Sequence, residues 1–273
     1  MKKIKFISII IFLIIKSINN AQPIHNIIYE NKFHQNILPE NLNSAFYLFD
    51  YIDSLSIPKA NSVFQNNFGN SIIRLSKIFF VNYLVTDYML TMNHEFGHGY
   101  RMIEAGGTIK KIVYNMPPPF TNEFSYINLN WPANFTKQQE LMINLGGSEI
   151  NLVFSDIMRK NILLEGRLKY NYSFAYLYSS NDMPGYTAFV TSPAGDPARY
   201  RQNLNTLYGF GREVLTRDKI KNYSYLALFT DPMNFYAFKS IFYDYLVKGE
   251  HSSNVKMINF NSRLKYLPRF RFE

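Results

Sequence analysis

Cysteine is absent from the 273-residue chain. Disulfide bonds, iron–sulfur clusters and thiol catalysis are therefore excluded, and any metal site has to be built from His, Asp and Glu. Histidine is scarce as well, with five residues. Charged residues make up only 18% of the chain and hydrophobic residues 47%, a balance that excludes a disordered protein. A mean hydropathy of −0.17 excludes a polytopic membrane protein that exposes most of its residues to lipid.

The formal net charge is +9, and four of the lysines responsible for it lie in the first 21 residues. The remainder of the chain therefore carries +5, a modest surplus for some 250 residues. A surplus of this size gives no reason to expect a nucleic-acid partner.

The N-terminus has the build of a secretory signal peptide. Lys2, Lys3 and Lys5 precede the apolar run Phe6 to Ile15, and a polar stretch then ends at Ala21. The run is shorter than the roughly 20 residues that span a bilayer. We therefore predict a signal peptide over residues 1–21 and export to the periplasm, the cell envelope or the medium. An uncleaved membrane anchor is the alternative, because Asn19 stands where a small residue is usual.

Apolar spacing predicts a mainly helical α+β fold in one domain, residues 22–273. A helix carrying the metal motif is followed by a short β element and then by a second helix that supplies a further metal ligand. Thr136 and Ser71 are plausible N-caps, and Gly106-Gly107 is a helix end. The predicted helices cover residues 42–55, 71–105, 136–160, 168–179 and most of 197–248, with strands at 108–116, 124–130 and 262–272 and a loop at 181–197.

His94, Glu95 and His98 form an HExxH motif on a predicted helix. Histidines four residues apart lie on one helical face, so both imidazoles can reach one Zn²⁺ ion. The glutamate beside the first histidine can then take a proton from the metal-bound water. With five histidines in the chain, roughly 0.004 chance matches to this pattern are expected. The motif therefore predicts a zinc site of His94 and His98, with Glu95 as the general base.

The third ligand is predicted to be Glu149. On a helical wheel of residues 136–160, Glu149 and Asp156 fall within a broad apolar face, where a carboxylate is costly unless it is paired or metal-bound. A salt bridge to Arg101 is the alternative role for Glu149. Asp196 is the rival third ligand, although an aspartate before Pro197 is also typical of a helix N-cap. Glu104 is expected to point away from the two histidines.

Several other polar residues are weaker candidates for this site. Asp156 and Asp87 could each accept a hydrogen bond from a ligand imidazole. Tyr186, Tyr200 and Arg199 are candidate oxyanion stabilisers. The remaining histidines, His25, His34 and His251, are expected to be ordinary residues outside the site.

These residues resemble the HExxH zinc metallopeptidases. HEFGHGYRMIEAGGTIKKI (94–112) is similar to the site-2-protease-like pattern, in which a strand follows HExGH, and LGGSEIN (145–151) resembles a signature that opens a later helix in that family. The resemblance covers about a third of the chain and implies an aspartate third ligand from a Leu-Asp-Gly motif. That motif is absent, and the nearest candidate is Asp196. Glu149 instead resembles the gluzincin plan, although Val153 stands where that plan has an aspartate.

The sequence therefore predicts an exported zinc metalloendopeptidase that hydrolyses peptide bonds in a peptide or protein substrate. The strand after the HExxH helix could bind an extended substrate as an added strand. The alternative is a non-catalytic envelope protein that retains a structural zinc site. Peripheral membrane association is a third candidate, based on the aromatic content and on basic residues near the C-terminus, and no feature of the sequence specifies an oligomeric state.

Overall fold

The computed structural model describes residues 34, 36–56, 68–190, 192–193, 195–261 and 265–269. It is 67% helical, which confirms the predicted mainly helical α+β fold. The predicted signal peptide and His25 lie outside the described residues. The α-helices, in chain order, are α1 (Ile37–Ser56), α2 (Phe68–Lys77), α3 (Leu84–Glu104), α4 (Lys137–Glu165), α5 (Tyr170–Ser180), α6 (Asp182–Phe189), α7 (Asp196–Tyr208), α8 (Arg217–Thr230) and α9 (Pro232–Phe238).

The strands form three separate two-stranded antiparallel ribbons in the part of the chain that the structure describes. β1 directly follows the HExxH helix, as predicted. Of the strand predicted over residues 262–272, Lys265 and Tyr266 pair in the third ribbon, residues 267–269 are not in a strand, and the rest lies outside the described residues. The pairs are β1 (Thr108–Val113) with β2 (Tyr126–Asn130), β3 (Arg167–Lys169) with β4 (Ser252–Asn254), and β5 (Ile258–Asn259) with β6 (Lys265–Tyr266).

The helix predicted over residues 71–105 is divided by a stretch of wider π-helical turns, Ile78–Tyr83, between α2 and α3. Asn82 lies fully buried in this stretch and donates a hydrogen bond to the Asn171 side chain on α5. This contact pairs two buried side-chain amides at the point where the helix geometry changes. α3 ends where predicted, because Gly106 adopts a left-handed φ of 85°.

Helix α4 begins with the capping box of Thr136 and Gln139 and ends at Gly166, where φ is 65°. Its burial differs from the predicted apolar face. On the helical wheel, four polar residues form a narrow stripe beside the broad apolar face; the stripe is buried in the structure, whereas Met142 on the apolar face is 43% exposed. The buried polar residues of this stripe are Asn144, Ser148, Asn151 and Ser155.

α3 and α4 touch through their backbones at Gly97 and Gly146. A Cβ atom on Gly97 would lie 2.1 Å from the Gly146 carbonyl oxygen, so no larger residue fits at this crossing. Close packing on the HExxH helix explains why small and polar residues of α4 are buried at this crossing, in addition to its buried apolar residues Ile143, Ile150, Phe154, Met158 and Ile162. The apolar core lies beside this contact, around Leu90, Phe154 and Tyr176.

The loop predicted over residues 181–197 is partly helical. Helix α6 occupies Asp182–Phe189 despite Pro184, which lies within the first turn of the helix, where proline is tolerated. Gly195, and not Asp196, is the N-cap of α7. Among the described residues, none of the helices combines the length and the apolar character that crossing a bilayer requires.

Candidate metal centre

The two histidines of the HExxH motif lie on one face of α3, as predicted. Their rings are 4.7 Å apart between centroids, and the His94 and His98 Nε2 atoms are separated by 3.0 Å. Both side chains are largely buried. The two Nε2 atoms therefore point at the same position in space.

Asp196, the first residue of α7, places its Oδ2 atom 3.4 Å from His94 Nε2 and 3.3 Å from His98 Nε2. These three atoms are the metal-ligand cluster found among the described residues. Around a tetrahedral zinc ion with bonds of about 2.0–2.2 Å, neighbouring ligand atoms lie about 3.3–3.6 Å apart. The two separations from Asp196 fall in this range, whereas the two Nε2 atoms, at 3.0 Å, lie somewhat closer together.

Asp182 orients His94. Its Oδ2 atom lies 2.7 Å from His94 Nδ1 and also accepts a hydrogen bond of 3.0 Å from Asn151 Nδ2. Asn151 is fully buried and donates in addition to the Leu90 carbonyl oxygen. An imidazole that donates its Nδ1 proton to a carboxylate presents the lone pair of Nε2 as a ligand, which is the arrangement found around protein-bound metals.

His98 is oriented in the same way by the backbone. Its Nδ1 atom lies 2.6 Å from the Ile143 carbonyl oxygen on α4, and a carbonyl oxygen can only accept. The proton therefore sits on Nδ1, and Nε2 carries a lone pair. Gly147 leaves the room that both imidazoles need, because its Cβ would lie 2.5 Å from His94 Nε2 and 2.6 Å from His98 Nε2.

The carboxylates around the cluster favour a positive charge among the three converging atoms. Burial by itself would lower the pKa of His94, but the Asp182 and Asp196 carboxylates outweigh it and hold that pKa well above its usual range. Burial would likewise raise the pKa of Asp196, yet His98 and His94 lower it. A cation, whether a proton on His94 or a metal ion, is therefore strongly favoured here.

The structure does not bring Glu149 to the histidines. Its carboxylate accepts hydrogen bonds of 3.0 Å from Arg101 Nε and 2.6 Å from Arg101 Nη2, and its side chain is 36% exposed. The physical reason is the rotation of α4. Gly147 faces the imidazoles, and Glu149, two residues further along the helix, points about 160° away from that direction. Glu149 thus has the alternative role that the sequence suggested, a salt bridge to Arg101.

Glu95 lies in a cleft of about 440 Å³ that opens onto the cluster. His94 and Asp196 line the same cleft, and Glu95 is only 7% exposed. Burial raises the pKa of Glu95, while the adjacent histidines lower it and Asp196 adds to the increase. A carboxyl group whose pKa is raised towards neutrality is a better proton acceptor and donor than an ordinary surface glutamate.

The other predicted residues have different roles. Asp156 accepts a hydrogen bond from Arg269, and Asp87 accepts hydrogen bonds from two tyrosines, so neither orients a ligand histidine. Tyr186 lines the cleft, and burial raises its pKa to about 12. Tyr200 and Arg199 are not among the residues that line this cleft. The separate placement of His34 and His251, each against aromatic rings, agrees with the prediction that both lie outside the site.

Sequence reasoning missed Asp182, Asn151 and Gly147. The available signal was the segment LGGSEIN, which contains Gly147 and Asn151. A pair of glycines within a predicted helix suggests that another helix packs closely there. Asp182 lies in a segment that was predicted to be a loop. The sequence therefore predicted neither helix α6 nor the orientation of the Asp182 side chain towards His94.

Comparisons with protein-family models, with curated proteins and with solved structures return no match for this chain. The geometry of the site therefore carries the functional argument on its own.

Proposed function

We propose that the protein is a zinc-dependent metallopeptidase, with His94, His98 and Asp196 as the metal ligands and Glu95 as the general base. The observation that carries this proposal is the convergence of three ligand atoms, 3.0–3.4 Å apart, at the wall of a cleft that Glu95 also lines. Asp196 replaces Glu149 in the ligand set. An aspartate ligand is also what the resemblance to site-2-protease-like enzymes implies.

The number of ligands favours catalysis over a structural role. Structural zinc sites are usually closed by four protein ligands, whereas catalytic sites have three and keep one position open. The cluster of His94, His98 and Asp196 contains three donors among the described residues, and its open side faces the cleft. This supports an enzyme over the alternative of a non-catalytic protein with a structural zinc site.

Zinc, when bound, lowers the pKa of a coordinated water towards about 7 and polarises a carbonyl group. The residues of the chain supply the rest of the reaction. Glu95 takes the proton from the attacking water and passes it to the leaving amine. The carboxylate of Asp182 stabilises the orientation of the His94 ring. Tyr186, which also lines the cleft, is the candidate donor to a developing oxyanion.

The shape of the cleft fits a peptide. Its walls combine polar groups with exposed apolar side chains, among them Met116 and Phe124, which come from the segment that joins β1 to β2. Apolar walls with a few fixed polar groups are typical of sites that bind organic ligands. We propose a peptide or protein substrate in an extended conformation, and a reaction outside the cytoplasm, which the signal peptide predicted from the sequence supports.

The test is hydrolysis of a peptide library by the zinc-loaded protein, followed by mass spectrometry of the products. Wild type should cleave, and a chelator should abolish cleavage until zinc is restored. Glu95→Gln should retain zinc and lose activity by about 10²–10⁴-fold, because only the proton transfer is removed. Zinc binding without any hydrolysis by wild type would instead favour the non-catalytic alternative. Equal activity of wild type and Glu95→Gln would refute the mechanism.

A further inference from the structure

Asp87 is a buried carboxylate in the cleft that the proposed reaction does not use. It lies two helical turns before His94 on α3 and is 6% exposed. Asp87, Thr91 and Glu95 are four residues apart in succession, so they share one face of the helix and form one wall of the cleft. The carboxylate is therefore accessible from the same space as the metal centre.

The contacts of Asp87 leave its charge without a cation. Tyr114 donates to Oδ2 at 3.2 Å and Tyr178 donates to Oδ1 at 3.3 Å. These hydroxyl groups lower the pKa of Asp87, but burial has the larger effect and raises it, and no basic side chain contributes. Throughout the described ranges, no lysine or arginine lines the cleft. A buried carboxylate with neutral partners alone is costly, and a bound cation would remove that cost.

The other acidic residues that line the cleft lie either beside the metal centre or in contact with solvent. Asp182 and Asp196 face the ligand histidines, and Glu95 lies beside them. Glu123 is exposed on the rim, where water solvates its charge. Asp87 is thus the lining carboxylate that is buried and is not associated with the metal centre.

We infer that Asp87 forms a subsite for a positively charged group of the substrate, an ammonium or guanidinium group on a peptide. This inference rests on the proposed peptidase function and specifies its substrate class. Seven residues of helix separate Asp87 from His94 by about 10 Å along the axis. An extended peptide advances about 3.3 Å per residue, so the charged group lies about three residues from the scissile bond.

Binding measurements test this inference independently of hydrolysis. Two pools of fluorescent, N-acetylated nonapeptides carry either lysine or norleucine at one fixed position, with neutral residues elsewhere. Fluorescence anisotropy with the zinc-loaded Glu95→Gln protein should give at least about tenfold tighter binding of the lysine pool, as expected for a hydrogen-bonded charge. A third pool, with norleucine and a free amino terminus, distinguishes an N-terminal ammonium group from a side chain.

Two further substitutions in the same background locate the effect. Asp87→Asn keeps the shape of the side chain and should abolish the preference for the positive charge. Glu123→Gln removes the same unit of charge from the exposed rim and should retain most of that preference. Thermal melting monitored by circular dichroism checks that each variant is folded. If Asp87→Asn does not fold, Asp87→Ser is a second neutral substitution at the same position.

Equal binding of all three pools would overturn the inference, as would a preference that survives in Asp87→Asn. The outcome is separable from that of the proposed function. A lysine preference in a protein that hydrolyses nothing would leave the subsite standing and reject the peptidase. With active protein, sequencing of the products should place the charged group two to four residues from the cut.

Discussion

The Asp182 carboxylate lies 2.7 Å from His94 Nδ1, on the side of the ring opposite to the nitrogen that faces His98 and Asp196. This contact determines which nitrogen of His94 carries the proton. It therefore determines that Nε2 is free to bind a metal. Burial would raise the pKa of Asp182, but the charge of His94 and the hydrogen bonds from His94 and Asn151 lower it, so the group is an anion.

Replacing Asp182 with Asn should weaken zinc binding by about 10–100-fold. The asparagine amide can still hydrogen-bond to the His94 ring, but it lacks the negative charge that makes the imidazole a stronger ligand. The measurement is competition for zinc with a chromophoric chelator. Asp156→Asn is the matched control, since its carboxylate binds Arg269 and lies outside the metal-ligand cluster. Equal affinities of the two variants would show that Asp182 does not support the metal.

Gly147→Ala should reduce zinc affinity by at least about tenfold. The added methyl carbon would lie 2.5 Å from His94 Cδ2 and 2.6 Å from His98 Nε2. Neither ring can move away without breaking its Nδ1 hydrogen bond. The helix itself should not suffer, since alanine favours helix over glycine by about 1 kcal/mol.

Gly185→Ala is the control for this substitution. Gly185 also lies within a helix, α6, and a Cβ there would meet no atom within 4 Å. It should bind zinc as wild type does. If Gly147→Ala binds zinc equally well, the close packing of α4 on the imidazoles is not required for the site.

Asp87→Asn should raise the melting temperature at neutral pH. Burial raises the pKa of Asp87, so folding favours the protonated carboxyl group. The folded state is therefore destabilised relative to the unfolded state as the pH rises through this raised pKa and the group ionises. The titratable groups facing it are the neutral hydroxyls of Tyr114 and Tyr178, with Tyr83 nearby, and none is a cation. Asparagine is neutral at every pH.

The difference in melting temperature between wild type and Asp87→Asn should therefore disappear in acid, where Asp87 is protonated. Calorimetry at several pH values measures it. A variant that melts below wild type at neutral pH would mean that the two tyrosine hydrogen bonds outweigh the cost of burying the charge.

Local sequence signals predicted much of the fold. Thr136 begins α4 where a helix was predicted to start, and Gly106 ends α3. The HExxH spacing placed His94 and His98 on one helical face, as the structure has them. These features depend on residues within a few positions of one another, and for that reason a single sequence reveals them.

The sequence offered Asp196 only as the rival to Glu149, because the choice between the two carboxylates depends on tertiary packing. Where α4 crosses α3 at Gly97 and Gly146, its small and polar residues are buried, which the helical wheel did not predict. Glu149 is thereby directed to Arg101. Asp196 lies about 100 residues after the histidines in the chain. No local sequence pattern predicts that residues so far apart in the chain are close in space.

The central claim is that His94, His98 and Asp196 hold one zinc ion. Elemental analysis of purified residues 22–273 tests it directly, with wild type measured beside Asp196→Asn and Glu149→Gln. We expect about one zinc per chain in wild type and in Glu149→Gln, and loss of most of it in Asp196→Asn. Zinc lost from Glu149→Gln but retained by Asp196→Asn would contradict the ligand set, and a wild-type protein that binds no zinc would contradict the proposed function.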